Sequence, residues 1–245
     1  MKRPALVLSL AALALLFALA QRPPAASARQ LAASKTAATD ALEQEVLTEI
    51  NLARTRPAEY ATYLEQLRPY FRGKEYRRPG RAGIMTEEGA RSLEEAISFL
   101  RAAKPVPPLA LSRGMCSGAR ELVRGQSGSD VTGHKGSDGS FCEQRAQRFG
   151  SWNAPIGENL SYGDDTARER VLTLLIDDGF SSRGHRNRLF DAAFKVAGVA
   201  CGGHKLGAMC VITLAGGFND GAAARSAQPA GKPSAQPLPA GARKF

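Results

Sequence analysis

Several residue types and motifs that would point quickly to a function are scarce or missing in this chain of 245 residues. It has one Trp, three His and four Cys. It contains no Cys-x-x-Cys pair, no His-x-x-x-His pair and no Gly-x-Ser-x-Gly motif. These absences argue against a zinc ribbon, a helical zinc-protease site and the nucleophile turn of a serine hydrolase. Hydrophobic residues make up 43% of the chain, so it can still form a core, and wholesale disorder is excluded.

Acidic residues are missing from both ends of the chain. Residues 1–35 hold five basic residues and residues 222–245 hold four, and neither stretch has an acid. The region between them, 36–221, has 24 basic and 23 acidic residues, so the formal net charge of +10 belongs mostly to the ends. This distribution argues against nucleic acid as a partner, because a nucleic-acid-binding domain carries its basic charge on the folded part. Polyanion binding through the basic stretch 68–81 is the weakest alternative.

The N-terminus predicts export. A basic start, MKRP, precedes an apolar run over 5–20 that ends in Ala18-Leu19-Ala20, and this is the pattern of a signal peptide over residues 1–20. The run is shorter than the roughly 20 apolar residues of a membrane span, so we expect no transmembrane segment after cleavage, with an uncleaved anchor as the alternative. The expected location is secreted or periplasmic.

Two stretches lack apolar periodicity. Residues 21–39 are predicted to be a flexible linker, and the Ala- and Pro-rich residues 222–245 a disordered tail. The tail either solubilises the chain or touches an anionic envelope surface.

The folded domain is predicted over residues 40–221. Apolar residues at helical spacing, with capping residues and Pro or Gly at the ends, predict helices from Asp40 to Pro57 and over 58–67, 91–103, 112–126, 140–149 and 166–178. Strands are expected over 157–162, 194–202 and 208–216. Residues 68–89, rich in Gly, Arg and Pro, are predicted to be a basic surface loop. Helices around a small, mostly antiparallel sheet make an α+β fold.

The four cysteines, Cys116, Cys142, Cys201 and Cys210, are an even number in a chain predicted to be exported, which favours disulfides. Cys201 and Cys210 lie on either side of a predicted hairpin turn, where cross-strand neighbours come within bonding reach. That leaves Cys116 to pair with Cys142. A zinc site built from these residues is the alternative, without a Cys-x-x-Cys pair to support it.

Candidate site residues are few. His134 lies in Gly-His-Lys-Gly, His185 in Gly-His-Arg-Asn, and Glu158 among apolar residues on a predicted strand. A carboxylate on an inner strand is costly to bury alone, so we expect Glu158 to face a cleft or meet a cation. Two imidazoles and a carboxylate suit a divalent cation or acid–base chemistry. Surface loop positions for both histidines are the alternative.

These motifs, in this order, resemble the CAP superfamily of cysteine-rich secretory, antigen 5 and pathogenesis-related 1 proteins, also called SCP-like extracellular domains. The resemblance rests on Gly-His-x-Gly-x-Asp-Gly-Ser, then Arg145 and Gly150, then Gly157-Glu158-Asn159-Leu160, then Gly184-His185-Arg186-Asn187. The resemblance covers about residues 41–218, and the motifs are most similar to those of the bacterial secreted branch.

The resemblance implies an α-β-α sandwich and a cleft formed by two histidines and two acids. Carried over to this chain, the cleft residues are His134, His185, Glu158 and Glu143, with Asp138 as the alternative to Glu143. In some members this cleft binds zinc or another divalent ion, so one divalent cation, zinc by preference, is the expected cofactor. His204 has no counterpart in the pattern and is expected in solvent, and Asp177 is expected to end a helix.

Two function classes follow. The first is a secreted CAP-type binding or interaction module whose ligand is a lipid, a peptide, a glycan or another envelope component. The second is a metal-assisted or His/Glu hydrolase of peptides or cell-wall polymers, in which Glu158, His134 and His185 would be the catalytic residues. Family resemblance favours the binding module, because the fold is shared more firmly than any activity.

Overall fold

The computed structural model describes residues 28–163 and 166–222. The chain divides into two compact units, 1–38 and 39–245. The described residues of the first unit, 28–38, are helical. The two sheets and the helices that cover them belong to the second unit. None of the helices in the described ranges is both long enough and apolar enough to cross a membrane. The predicted signal peptide lies outside the described residues, as does the predicted tail from residue 223 onward.

The described part of the chain contains seven α-helices. They are α1 (Ala28–Thr55), α2 (Pro57–Glu65), α3 (Ala90–Ala102), α4 (Arg113–Gln126), α5 (Cys142–Gln147), α6 (Ala167–Ile176) and α7 (Gly184–Phe190). Local chemistry sets several ends. Pro57 is the first residue of α2, Ser112 caps α4 by accepting from the N–H of Met115, and Thr166 caps α6 in a reciprocal pair with Glu169.

Within residues 28–163 and 166–222, seven strands form two sheets. They are β1 (Phe71–Arg72), β2 (Glu75–Tyr76), β3 (Ile84–Met85), β4 (Ala110–Leu111), β5 (Gly150–Tyr162), β6 (Val196–His204) and β7 (Gly207–Asp220). The first three make a small antiparallel sheet in the order β1-β2-β3. The main sheet has the order β4-β6-β7-β5, with only the β4–β6 pair parallel, so β5 is an edge strand.

Helices cover both faces of the main sheet. On one face Ala119, Leu122 and Val123 of α4 pack against alternate residues of β6 and β7. On the other face a larger core combines strand residues such as Val199 and Ile212 with buried residues of α1, α2, α3 and α6. Successive residues of a strand point to opposite faces of the sheet. Both faces of this sheet are apolar because apolar residues occupy successive positions in its strands. The predicted α+β class, in the form of an α-β-α sandwich, is confirmed.

Glycine permits the close packing of α4 on the sheet. A Cβ at Gly198 of β6 would lie 2.2 Å from the backbone carbon of Met115. Any side chain at this position would push α4 away from β6, so the glycine sets the helix–sheet distance.

Some predicted boundaries were wrong. Residues 28–39, predicted as linker, are helical, because the stretch is rich in Ala, the strongest helix former. The predicted loop 68–89 contains the whole three-stranded sheet. Strand β5 begins at Gly150 rather than 157, and His185 lies in the first turn of α7 rather than in a loop. His204, expected in solvent, is buried and its Nε2 lies 2.9 Å from the carbonyl oxygen of Val131.

The cysteine prediction is half right. Cys201 and Cys210 are directly opposite each other on β6 and β7 and form a disulfide. The predicted bridge between Cys116 and Cys142 is wrong, because both are free thiols. Cys116 faces the sheet, where its sulfur accepts a hydrogen bond from the N–H of Val199 at 3.4 Å. Burial raises the pKa of the Cys116 thiol to about 11 and that of the Cys142 thiol to about 12.

Candidate functional site

Glu158 is buried in the middle of β5 and is held by a cation. Its Oε2 accepts from Nη2 of Arg145 in α5 at 2.7 Å, and both side chains are 1% exposed. Thr213, directly opposite on β7, donates its hydroxyl to the same oxygen at 3.4 Å. An isolated carboxylate would be costly here, and the guanidinium compensates it. The cation required by the burial of Glu158 is therefore Arg145.

His134 lies in the loop between α4 and α5, against the same carboxylate. Its Nδ1 is 2.9 Å from Oε1 of Glu158, and its side chain is 44% exposed. Because an ionised carboxylate only accepts, Nδ1 carries the proton and Nε2 is left for an outside partner. Arg145 also donates to the carbonyl oxygens of His134 and Ser140, so one guanidinium positions both the acid and the loop that bears the histidine.

His185 pairs with a different acid, Asp177. Asp177 ends α6 in the left-handed conformation, with φ 54°, and its side chain is buried. Its Oδ1 lies 2.6 Å from Nδ1 of His185, and its Oδ2 accepts from the backbone N–H groups of His185 at 2.9 Å and of Arg186 at 3.3 Å. Burial alone would raise the pKa of Asp177, but these hydrogen bonds outweigh it, so its pKa is lowered.

Strand β5 joins the two histidine–carboxylate pairs. Asn159, the residue after Glu158, is buried, and its amide donates to the carbonyl oxygen of His185 at 3.1 Å. Its side-chain oxygen accepts from Nη1 of Arg188 in α7 at 2.5 Å. Since adjacent strand residues point to opposite faces, Glu158 and Asn159 connect the strand to His134 on one side and to α7 on the other.

The two other predicted acids do not join these pairs. Glu143 lies in the first turn of α5 beside Cys142, and its charge contributes to the raised pKa of that thiol. Among the described residues, no hydrogen bond or ion pair links Glu143 to either histidine. Asp138 accepts from the N–H and hydroxyl of Ser140 and pairs with Arg148, which is the turn role expected of an Asp before Gly.

These side chains do not fit a metal centre in the arrangement observed. Within 28–163 and 166–222, no three His, Cys, Asp or Glu residues are grouped so that they could hold a metal ion. Both oxygens of Glu158 already have partners, and a protein zinc site needs at least three converging ligands. The predicted divalent cation stays a prediction, and the function proposed below does not depend on it.

A cavity of about 400 Å³ opens beside His185. It lies between the small sheet, α6 and the edge strand β5. Most of its lining is aliphatic or aromatic: Leu67, Phe71, Tyr76, Ile84, Met85, Leu160, Leu172, Leu174, Ile176 and Phe180. The polar residues at its wall include His185, Asp177 and Arg78. The ring of Phe180 meets the ring of His185 edge to face, with 5.1 Å between centroids.

Two residues, Arg145 and Asp177, were not assigned to this site from the sequence. Arg145 belongs to the quoted motif, and its function follows once Glu158 is known to be buried. Asp177 was interpreted as a helix end. It does end α6, but its spacing of eight residues before His185 lets the same carboxylate cap the first turn of α7 and hold the imidazole.

The family model described as the cysteine-rich secretory protein family, CAP, matches residues 76–213. No curated protein matches the chain. Among solved structures, the 1.5 Å crystal structure of an extracellular protein containing a SCP domain from Bacillus anthracis str. Ames is similar, with 19% sequence identity and a TM-score of 0.34. The match covers 49% of this chain and 37% of that one, so this chain spans little more than a third of the length of that relative.

Proposed function

Because the chain belongs to the cysteine-rich secretory protein family, whose domains are typically extracellular interaction modules, we propose that it is an exported binding module for a ligand with an aliphatic portion, such as a lipid. The basic and apolar N-terminal pattern supports export to the periplasm or the exterior, and the style of the motifs supports a bacterial source.

The apolar cavity beside His185 carries this proposal. Its volume of about 400 Å³ falls within the roughly 300–1,000 Å³ of small-molecule sites, which are mostly apolar with a few placed polar groups. Leu172, Leu174 and Ile176 of α6 line the cavity, and so do Phe71 and Ile84 of the small sheet. An aliphatic chain would replace water along these side chains.

His185 supplies the polar end of the cavity. Asp177 occupies its Nδ1, so Nε2 is the ring nitrogen available to a polar group of the ligand. Fixing the ring in this way removes the cost of ordering it when a ligand binds. A molecule with an aliphatic body and a polar head therefore matches the cavity better than a purely polar glycan does.

Filling the cavity tests this function. The probe is a fluorescent long-chain fatty acid, measured by its emission on titration with the full chain. Thr173→Trp is the blocking variant, because Thr173 lines the cavity, its side chain is exposed, and its hydroxyl donates to the carbonyl of Glu169 in its own helix. We expect the probe to bind the unmodified chain and to bind Thr173→Trp at least about tenfold more weakly, a loss of about 1.4 kcal/mol.

Thr48→Trp is the matched control. Thr48 is exposed on α1 with the same type of bond, to the carbonyl of Gln44, and does not line the cavity. Its affinity for the probe should equal that of the unmodified chain. Absence of binding by the unmodified chain, or equal affinity of the two Trp variants, would contradict the proposal.

The second candidate is a hydrolase, favoured by the way Asp177 orients His185. Here His185 Nε2 would take a proton from water, the hydroxide would attack an ester carbonyl of the bound ligand, and the leaving alkoxide would recover the proton. The described residues place no hydroxyl against either histidine as a nucleophile. Hydrolysis of a fluorogenic fatty-acyl ester that disappears in His185→Gln, rather than simple binding, would replace the binding module by this activity.

A further inference from the structure

The small sheet has two rows of side chains, one on each face, and both rows reach the lining of the cavity, one through Ile84 and the other through Met85. Phe71, Tyr76 and Ile84 are paired across the three strands, and all three line the cavity. Arg72 is paired with Glu75, which is paired with Met85. Directly paired residues of antiparallel strands share a face, so Arg72 and Met85 lie on the same face, two strand spacings or about 10 Å apart.

Large apolar side chains are exposed at the mouth of this cavity. Ile84 and Met85 are 61% and 72% exposed on β3, an edge strand of the small sheet. Phe180, 57% exposed, lines the same cavity from the α6–α7 connection. Single exposed apolar residues are ordinary, but three that border one opening mark an interaction surface.

The same segment is the basic pole of the folded region. Residues 68–81 hold six basic residues and one acid, whereas the rest of 36–221 holds 18 basic and 22 acidic residues. Part of this charge is compensated: Arg68 pairs with Glu94, Arg77 with Glu75 and Arg78 with Glu169.

Two basic residues of the segment are available to a partner. Arg72, the last residue of β1, and Lys74, in the β1–β2 turn, are exposed, and neither side chain has an ionic partner within the described ranges. Their positive charge lies beside the exposed apolar rim rather than apart from it.

We propose that the surface formed by Arg72, Lys74, Ile84, Met85 and Phe180 docks on a bilayer that contains anionic phospholipid. Exposed apolar residues flanked by bases are the composition of an interfacial membrane contact, in which the apolar side chains enter the boundary between headgroups and acyl chains while the bases meet phosphates. Docking in this way turns the cavity mouth toward the lipid. Ile84, Met85 and Phe180 also line the cavity, so the docking surface borders the site of the proposed ligand.

Vesicle co-sedimentation of the full chain tests this surface. The two probes are phosphatidylcholine vesicles and vesicles in which a third of the lipid is phosphatidylglycerol, each at low and high salt. We expect preferential, salt-sensitive binding to the anionic vesicles. The double variant Arg72→Gln, Lys74→Gln should weaken that binding roughly 25-fold, since each base near an anionic surface contributes roughly a fivefold factor. Ile84→Ser, Met85→Ser should weaken it by at least roughly tenfold.

Matched controls remove the contribution of the basic ends and of net charge. Lys104→Gln, Arg124→Gln deletes the same charge from exposed positions away from the small sheet, and Leu111→Ser, Leu206→Ser deletes comparable exposed apolar area. Both controls should bind like the unmodified chain. All four substituted residues in the test variants are exposed, so melting temperatures should stay unchanged.

Three outcomes would overturn the docking proposal. The first is equal binding by the test and control variants, and the second is equal binding to neutral and anionic vesicles. The third is that Ile84→Ser, Met85→Ser loses self-association but keeps vesicle binding, which would assign the surface to a second copy of the chain. Thr173→Trp separates this proposal from the proposed function, because a blocked cavity should leave vesicle binding intact.

Discussion

Arg145 is a fully buried guanidinium whose role depends on Glu158. It compensates the one carboxylate that β5 places in the interior, and it holds the carbonyl oxygens of the His134 loop. A buried ion pair of this kind contributes little net stability compared with apolar residues, but removal of one partner leaves the other charge without compensation. This asymmetry makes the pair testable.

Arg145→Met should lower the free energy of unfolding by about 3–5 kcal/mol, measured by urea denaturation, because Glu158 would remain buried and unpaired. Arg148→Met is the control, three residues further along the chain. Arg148 is 42% exposed and pairs with Glu121 and Asp138 at the surface, so we expect a loss of at most about 1 kcal/mol.

Removing both charges of the buried pair should recover stability. The double variant Arg145→Met, Glu158→Met is expected to be more stable than Arg145→Met alone. If Arg145→Met costs no more than Arg148→Met, the Glu158 carboxyl is not held as a buried anion.

At this scale the sequence predicted the acid but not the geometry around it. One charged residue among apolar ones predicts that Glu158 faces a cleft or meets a cation, and the structure pairs it with both Arg145 and His134. Asp177 was assigned to a helix end because an Asp-Asp-Gly sequence is typical of one. Its second role needs the turn that returns the chain to His185, and that turn is a tertiary feature.

At the scale of elements, local register decided which predictions succeeded. The Cys201–Cys210 bridge could be predicted because a hairpin fixes which residues are opposite each other. Cys116 and Cys142 lie on α4 and α5. They were paired only because they were the two cysteines left over, and that reasoning does not tell in which direction each helix points its side chains. The small sheet was missed because strands of two residues show no alternation, so their pairing depends on turns and on contacts with the rest of the fold.

Removal of the hairpin disulfide should destabilise the fold. The bridge closes a loop with a sequence separation of nine, for which the chain-entropy model gives about 2.6 kcal/mol. We expect Cys201→Ala, Cys210→Ala to lose about this much in urea unfolding. A reductant should lower the stability of the unmodified chain and leave that of the variant unchanged.

The unmodified chain also allows a test of the state of the other two cysteines, Cys116 and Cys142. Without reductant, the unfolded chain should show two reactive thiols, and the folded chain should react slowly because burial raises the pKa of both. Detection of no thiol after unfolding would mean that Cys116 and Cys142 are bridged, against the structure.

At the scale of the whole molecule, an ion-pair network connects parts of the chain that are far apart in sequence. Arg183, in the left-handed conformation before α7, donates to Glu88 at 2.5 Å and to Glu95 at 2.6 Å. Arg186 donates to Glu95 at 2.9 Å and to the carbonyl oxygen of Leu175 at 2.5 Å. Partners that lie about 90 residues apart could not be matched from sequence, because many other acids and bases were equally available.

This network makes the fold sensitive to acid. Hydrogen bonds from Arg183 hold the pKa of Glu88 and that of Glu95 at about 2, below the ordinary value of 4.5. The folded chain therefore takes up these protons less readily than the unfolded chain, and acid favours unfolding. The stabilisation is complete above about pH 4.5, declines as the pH falls below that value and is lost near pH 2.

Arg183→Gln tests whether the network causes this acid sensitivity. The quantity compared is the change of stability with pH, not the stability at one pH. We expect the urea midpoint of the unmodified chain to fall between pH 4.5 and pH 2, and that of Arg183→Gln to fall less, because its two glutamates regain more ordinary pKa values. Arg101→Gln, which breaks the surface pair with Glu65, is the control and should keep the full slope. The comparison isolates this network because all three chains share every other acidic group. Equal slopes in the unmodified chain and in Arg183→Gln would show that Arg183 does not lower the pKa of Glu88 and Glu95 in the folded protein.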